Sequence, residues 1–183
     1  NGLNSGNYIK ALYGADSYFK LTEMPEANIN YTDFNNYSLI VLNQLISPSS
    51  GLAQEIKGYI ANGGTVVIFP DLASDMKVYS AFLTAINLPA VAELKNTPVT
   101  VSKMDLKNPL FKDVFETLPQ KLDLPQISSY FSFIENNNSN QENILELPAN
   151  KLFFARYANG NGQVYLSATG LSKEVSGFST HPV

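Results

Sequence analysis

The chain has 183 residues, a length typical of one domain, and 44% of them are hydrophobic, which is enough to bury a core. Only 15% are charged, against about 25% in an ordinary soluble domain, and the net charge of -4 argues against a nucleic-acid partner. The absence of cysteine excludes disulfides, thiolate metal sites and cysteine nucleophiles. We therefore expect a single domain over residues 1–183, without a nucleic-acid partner.

The two ends of the sequence are typical of a segment cut from a longer protein. Asn1 stands where an initiator methionine would be, no signal peptide follows, and the last residues stop as if entering another element. We expect an excised segment, and a mature secreted protein after cleavage is the alternative. The sequence has no apolar run of about 18 residues, so we expect none of it to span a bilayer.

The first predicted elements in chain order are a short helix and two strands. Apolar residues at helical spacing predict a helix over residues 4–13, which Gly14 ends. Residues 18–22 are predicted as a strand. The continuous apolar run over residues 38–42 is typical of a strand that is covered on both faces.

A helix, a strand and a second helix follow in close succession. The first is predicted to begin at a cap formed by Ser49 or Ser50 and to end in a left-handed turn at residues 62–64. Residues 65–69 are predicted as a buried strand and residues 75–86 as an amphipathic helix. This alternation indicates a parallel sheet wrapped by helices and joined by right-handed crossovers.

The second half changes to short strands separated by turn signals. Strands are predicted over residues 99–102, 128–133, 144–147, 153–157 and 163–167. The Asn-Gly pairs at residues 159–162 are a strong hairpin signal between the last two strands. A short helical turn is predicted at residues 108–115 and a polar loop at residues 136–140. We expect these strands to add an antiparallel portion to the parallel core.

Polar residues follow two of the predicted parallel strands, which is where open α/β sheets bind ligands. Asn43 and Gln44 follow the first strand, Ser50 comes at the start of the next helix, and Asp71 follows the second strand. A carboxylate at this point could hold a ligand or a water. The structural alternatives are that Asp71 or Ser74 caps the next helix and that Asn43 is a turn residue that satisfies backbone groups.

The motifs of common enzymes are missing from the sequence. Gly-x-Ser-x-Gly does not occur, and the single histidine, His181, lies close to the end and is interpreted as structural or incidental. The acidic residues are scattered, so no metal site is predicted. Gly160 and Gly162 join strands and do not open a helix, so they are not a dinucleotide fingerprint. We therefore predict no catalytic residue, no metal and no cofactor.

Residues 37–43, 52–60 and 62–70 resemble the core of the class I glutamine amidotransferase-like fold. In that family, the strand after the Asn-Gly-Gly turn ends in an elbow that carries a catalytic cysteine. The matching place here reads Phe69-Pro70-Asp71-Leu72-Ala73, without the cysteine or the glycines around it, and no downstream His-Glu pair can be matched. The resemblance covers roughly residues 7–90 and implies an amidotransferase-like domain without the amidotransferase machinery.

A second resemblance covers most of the chain. It is to the C-terminal part of BatA-like bacterial membrane proteins and is carried by residues 4–12, 50–53, 108–111, 114–115, 124–125, 130 and 160–167. Those proteins have two N-terminal membrane helices, often a von Willebrand A-type domain, and a further helix after this region. A strand usually precedes their first helix, and this sequence lacks it. The resemblance implies an extracytoplasmic domain with flanking membrane helices and protein partners in the cell envelope.

These observations lead to one fold and three functional hypotheses. We expect a three-layer α/β domain, flavodoxin-like or class I glutamine amidotransferase-like, with antiparallel strands added in the C-terminal half. The leading hypothesis is a non-catalytic interaction or ligand-binding domain of a bacterial cell-envelope protein, with the crevice near Asn43 and Asp71 as its binding place. The alternatives are a hydrolase or amidotransferase relative that uses Asp71 and a water, and a glycan-binding module with exposed tyrosines.

Overall fold

The computed structural model describes residues 6–112, 123–135, 140–172 and 174–177. Its three helices are α1 (Gly6–Gly14), α2 (Ser50–Ala61) and α3 (Met76–Ala85). Its strands are β1 (Leu39–Asn43), β2 (Thr65–Phe69), β3 (Val91–Lys95), β4 (Val99–Thr100), β5 (Lys103–Met104), β6 (Gln126–Ile127), β7 (Tyr130–Phe133), β8 (Gln141–Leu147), β9 (Lys151–Asn159) and β10 (Gly162–Ser167).

Six of these strands form one sheet in the order β1-β2-β10-β9-β8-β5. β1, β2 and β10 are parallel, whereas β10, β9, β8 and β5 pair antiparallel with one another in turn. β10 therefore joins the parallel part of the sheet to the antiparallel part. Two further pairs, β3 with β7 and β4 with β6, are separate two-stranded sheets. The predicted α/β class, with a parallel core and added antiparallel strands, is confirmed.

The helix α2 begins and ends where its sequence predicts. The side chain of Ser49 accepts a hydrogen bond from the Leu52 amide at 3.1 Å and so caps the first turn. At the other end, Gly63 has a φ of 102°, a left-handed conformation that favours glycine. A Cβ on the next residue, Gly64, would overlap the ring of Tyr59. The glycine pair thus ends the helix and lets the chain turn at once into β2.

The helix α3 is capped by Asp75, which corrects the expectation that Asp71 or Ser74 caps it. The Asp75 carboxylate accepts hydrogen bonds from the Lys77 and Val78 amides at 2.8 and 3.1 Å. Asp75 is the cap because it lies directly before the first helical residue, where its carboxylate oxygen reaches the free amides of the first turn.

The turn between β9 and β10 packs against the end of α2. A Cβ on Gly162 would overlap the carbonyl oxygens of Gly64 and Ile60, so this contact requires a glycine. The next residue, Gln163, donates its amide to the Gly64 carbonyl at 3.2 Å. This contact brings β10 beside β2 across almost one hundred residues of sequence and so builds the third parallel strand.

Helices α2 and α3 cover one face of the parallel strands. The side chains buried there include Leu52, Ile56, Ile60, Val66, Ile68, Leu83, Val164 and Leu166. On the opposite face, Leu39, Val41 and Val67 are half-buried. A second hydrophobic cluster lies around β8 and contains Val101, Met104, Ile127, Ile144, Leu145, Leu147, Phe153 and Ala168.

The structure lacks one predicted strand, and its strands β3 and β5 were not predicted. Residues 18–22 form no strand, and Tyr18 is 85% exposed. Strand residues need a neighbouring strand to satisfy their backbone, and within the described residues β1 is an edge strand that pairs with β2 alone. Conversely, β3 was not predicted, because its Glu93 and Lys95 interrupt the apolar pattern. Residues 113–115, residues 136–139 and His181 lie outside the described residues.

Candidate functional site

The carboxyl ends of the three parallel strands meet at one edge of the sheet, as the fold requires. Asn43 at the end of β1 lies in register with Phe69 at the end of β2. The Gln44 amide donates to the Phe69 carbonyl at 2.8 Å, and Gln44 then adopts a left-handed φ of 52°. The structure therefore brings Asn43, Gln44 and Asp71 to neighbouring strand ends.

Gly170, three residues beyond the end of β10, packs between these strand ends. A Cβ on Gly170 would lie 2.9 Å from Nε2 of Gln44 and 3.0 Å from the carbonyl oxygen of Pro70. Both distances are below ordinary van der Waals contact, and Gly170 is buried. The protein backbone thus occupies space that a ligand would need in an open crevice.

The carboxylate of Asp71 is engaged within its own turn. Its Oδ1 accepts the Ala73 amide at 2.8 Å, and its carbonyl oxygen accepts the Ser74 amide at 3.2 Å. An aspartate that binds the backbone two residues ahead mimics a backbone turn and stabilises it. Asp71 therefore shapes the connection between β2 and α3.

Two serines that follow the parallel strands in sequence have different surroundings. Ser74 is buried, and its hydroxyl donates to the Leu45 carbonyl at 3.2 Å, which ties the loop after β2 to the loop after β1. Ser50, the remaining residue of the predicted crevice, is exposed at the first position of α2. The cap of that helix is Ser49. Ser50 thus lies on the helix and not at a strand end.

The neighbouring Tyr79 does not supply a base to Asp71 at ordinary pH. Burial raises the pKa of the Tyr79 hydroxyl above its usual range, and the negative charge of Asp71 raises it further. Tyr79 therefore remains a neutral phenol at ordinary pH and cannot serve as a base. Among the described residues, no three His, Cys, Asp or Glu side chains converge in a way that could hold a metal ion.

A surface depression of about 200 Å³ lies at the opposite, amino ends of β1 and β2. It is lined by Asn35, Tyr37, Ser38, Tyr59, Asn62, Gly63 and Gly64. In the sequence, the last three of these residues indicate only the end of a helix. The only sequence signal for a depression is the pair of glycines, which have no side chains, next to Asn62. That residues 35–38 lie beside this turn cannot be read from the sequence, because only the tertiary fold brings the two segments together.

The floor of this depression is held by Tyr59. Its hydroxyl donates to the Tyr37 carbonyl at 2.8 Å. Burial raises the pKa of Tyr59, and a hydrogen bond with the backbone of Thr65 partly offsets this rise. The phenol is thus a neutral donor that fixes the segment before β1 to the end of α2.

No protein-family model and no curated protein matches the sequence. Solved structures do match at low identity. A cytoplasmic protein of Salmonella typhimurium LT2 is 14% identical, with a TM-score of 0.69 over 93% of this chain and 78% of that one. A protein of Bacteroides uniformis described as ThuA-like is 15% identical, with a TM-score of 0.61 over 91% of this chain and 73% of that one.

A β-galactosidase of Bacillus circulans shares the fold over a smaller part of its length. It is 17% identical, with a TM-score of 0.59 over 92% of this chain, which spans 25% of the enzyme. At these identities the likenesses establish the fold, and they confirm the predicted amidotransferase-like architecture. Separately, no helix in the described part of the chain is long and apolar enough to cross a bilayer.

Proposed function

We propose that the chain is a non-catalytic interaction or ligand-binding domain of a bacterial cell-envelope protein. The observation that carries the non-catalytic part is the hydrogen bond from the Ala73 amide to Asp71 Oδ1. Asp71 lies in the elbow where the amidotransferase family carries its cysteine, so it is the residue that would have to replace that nucleophile. Its carboxylate is instead held in a turn, where it stabilises the backbone.

The packing around Asp71 supports the same proposal. General acid–base catalysis needs a group within hydrogen-bond reach of the reacting atoms, and a water or substrate needs space beside it. Gly170 fills the space between Gln44 and Pro70, and the buried Tyr79 is kept neutral. Both features favour a structural role for this end of the sheet.

A turnover assay with matched variants tests the non-catalytic proposal. The wild type, Asp71→Ala and Asp75→Ala would be incubated with L-glutamine, a p-nitrophenyl ester and an anilide. Asp75 is the control, because its carboxylate also binds backbone amides in the same loop. We expect all three proteins to match the protein-free blank. Turnover that falls more than tenfold in Asp71→Ala but not in Asp75→Ala, with both variants folded, would establish the hydrolase alternative.

The envelope part of the proposal rests on the resemblance to BatA-like proteins, and fractionation of the native host tests it. We expect the full gene product in the membrane fraction, with this domain digested by protease added to intact spheroplasts. Digestion only after lysis would place the domain inside the cytoplasmic membrane, and recovery in the soluble fraction would remove the membrane anchor.

A further inference from the structure

We propose that the depression at the amino ends of β1 and β2 binds a neutral, hydroxyl-rich ligand of the size of one sugar unit. This inference rests on the ligand-binding part of the proposed function and gives it a place and a ligand class. The volume of about 200 Å³ is enough for a single six-membered ring and too small for a folded peptide. The depression lies at the opposite end of the strands from Asp71, so it is independent of the elbow.

Two glycines shape the turn that borders the depression. Gly63 has a φ of 102°, which side chains rarely adopt, and a Cβ on Gly64 would overlap the Tyr59 ring. Neither position can carry a side chain without moving the end of α2. Gly64 therefore lets the Tyr59 ring pack directly against the turn that ends the helix.

The side chains that line the depression can form the hydrogen bonds that a sugar needs. Asn35, Ser38 and Asn62 are exposed, and their amide and hydroxyl groups both donate and accept hydrogen bonds, as sugar hydroxyls do. None of the seven described residues that line the depression carries a charge. A phosphate, carboxylate or ammonium ligand would find no counter-charge there, which favours a neutral ligand.

The depression is also held rigid before any ligand arrives. Tyr59 bonds the Tyr37 carbonyl at 2.8 Å, and the ring of Phe34 packs edge-on against the ring of Tyr59 with centroids 6.2 Å apart. A preformed site loses less conformational entropy on binding than a flexible one. The half-buried ring of Tyr37 adds an apolar surface for the C–H face of a sugar ring.

A titration followed by amide chemical shifts tests the proposal. Glucose, galactose, mannose and cellobiose would each be added to the ¹⁵N-labelled protein up to about 100 mM, since a site of this size is expected to bind one ring with a dissociation constant of about 1–10 mM. We expect saturable shifts of the Asn62, Gly63 and Gly64 amides with at least one sugar. Equal affinity for mono- and disaccharide would indicate recognition of a single unit, and tighter cellobiose binding would indicate a glycan chain.

Three variants connect the shifts to the depression. Asn62→Ala should weaken binding at least fivefold, and Ser38→Trp, which places a large ring in the space, should abolish it. Asn96→Ala, an exposed asparagine in the loop after β3, is the matched control and should leave binding unchanged. The folded state of each variant is checked by its amide spectrum before titration.

Two results would overturn the proposal. One is the absence of saturable shifts with every sugar, and the other is shifts that persist unchanged in both Asn62→Ala and Ser38→Trp. Either result would leave the non-catalytic proposal standing if turnover is also absent. Turnover dependent on Asp71 would remove the non-catalytic proposal without moving the amide shifts of residues 62–64. The two failures are thus distinguishable.

Discussion

The two ends of the same parallel strands differ in how they are filled. At the carboxyl end, Gly170 packs between Gln44 and Pro70, and Asp71 bonds its own turn. At the amino end, a depression of about 200 Å³ lies beside Gly63, Gly64 and exposed amide side chains. In both places, glycine permits a close approach of the backbone.

The two glycines admit different neighbours: Gly170 meets Gln44 and Pro70, and Gly64 meets the Tyr59 ring. Gly170 lets a third chain segment enter the gap between two strand ends, whereas Gly64 lets a neighbouring ring form a floor. Open α/β sheets usually bind ligands at the carboxyl end of their strands. Here Gly170 packs into that end, and a concavity lined by described residues lies at the other end.

The largest effect is expected from Gly162→Ala at the amino end. The new Cβ would overlap two backbone carbonyl oxygens, which cannot move without displacing α2 or β2. We expect the free energy of unfolding to fall by about 3 kcal/mol or more, measured by urea denaturation. Gly58→Ala in the middle of α2 is the control and should gain roughly 0.5–1 kcal/mol. Apart from its chain neighbours and the backbone of its own helix, no atom of the described residues would lie within 4 Å of the new Cβ. Equal effects of the two changes would contradict the packing described.

At the carboxyl end, Gly170→Ala is expected to destabilise the protein by about 2 kcal/mol. The added methyl group would press on the Gln44 side chain and on the Pro70 carbonyl. Adding Gln44→Ala should recover part of the loss, because it removes the movable one of the two contacts. A double-mutant cycle in urea measures this coupling. If Gly170→Ala alone changed stability by less than about 0.5 kcal/mol, the carboxyl end would be open and not packed.

Alkaline pH is expected to act through Tyr79, beside the carboxyl end. Burial and the charge of Asp71 raise its pKa in the folded state, so its contribution is present below the unfolded pKa of about 10 and is lost as the pH rises. We expect stability to fall above pH 10 by about 1.4 kcal/mol per pH unit for this group. Tyr79→Phe should flatten the slope by that amount. An unchanged slope in the variant would show that Tyr79 ionises normally in the folded protein.

The smallest effect compares two buried tyrosines. The Tyr59 hydroxyl donates to the Tyr37 carbonyl, whereas the buried Tyr157 hydroxyl has no hydrogen-bond partner among the described residues. Tyr59→Phe should cost about 1 kcal/mol, and Tyr157→Phe should be neutral or stabilising by up to about 1 kcal/mol. Thermal and urea unfolding of both variants measure the difference. A loss of stability in Tyr157→Phe similar to that in Tyr59→Phe would mean that its hydroxyl has a partner in solution.

The elements with local signals could be predicted from the sequence. The strand β1, the helix α2 and the strand β2 have apolar runs with caps and stops beside them, and their observed bounds lie within one or two residues of the predicted ones. The placement of β10 beside β2 could not be predicted, because it depends on a contact between Gly162 and the end of α2. The strand predicted at residues 18–22 fails because β propensity is realised only beside a partner strand.

In the candidate site, too, the features with local sequence signals could be predicted and those that depend on distant segments could not. The position of Asp71 at a strand end follows from the pattern, and the structure places it there. The hydrogen bond that occupies its carboxylate depends on the backbone conformation of the turn, and the entry of Gly170 depends on a segment about one hundred residues away. The depression joins residues 35–38 to residues 62–64, and only the tertiary fold brings these two segments together.

Native-state hydrogen exchange of the Ala73 amide measures whether the Asp71 carboxylate stabilises its own turn. We expect this amide to be protected by about tenfold or more in the wild type and to lose that protection in Asp71→Ala, while the Val78 amide bonded by Asp75 stays protected in both. Exchange of the Ala73 amide at the unprotected rate in the wild type would contradict this role, because the Asp71 carboxylate would then not bind the backbone of its own turn.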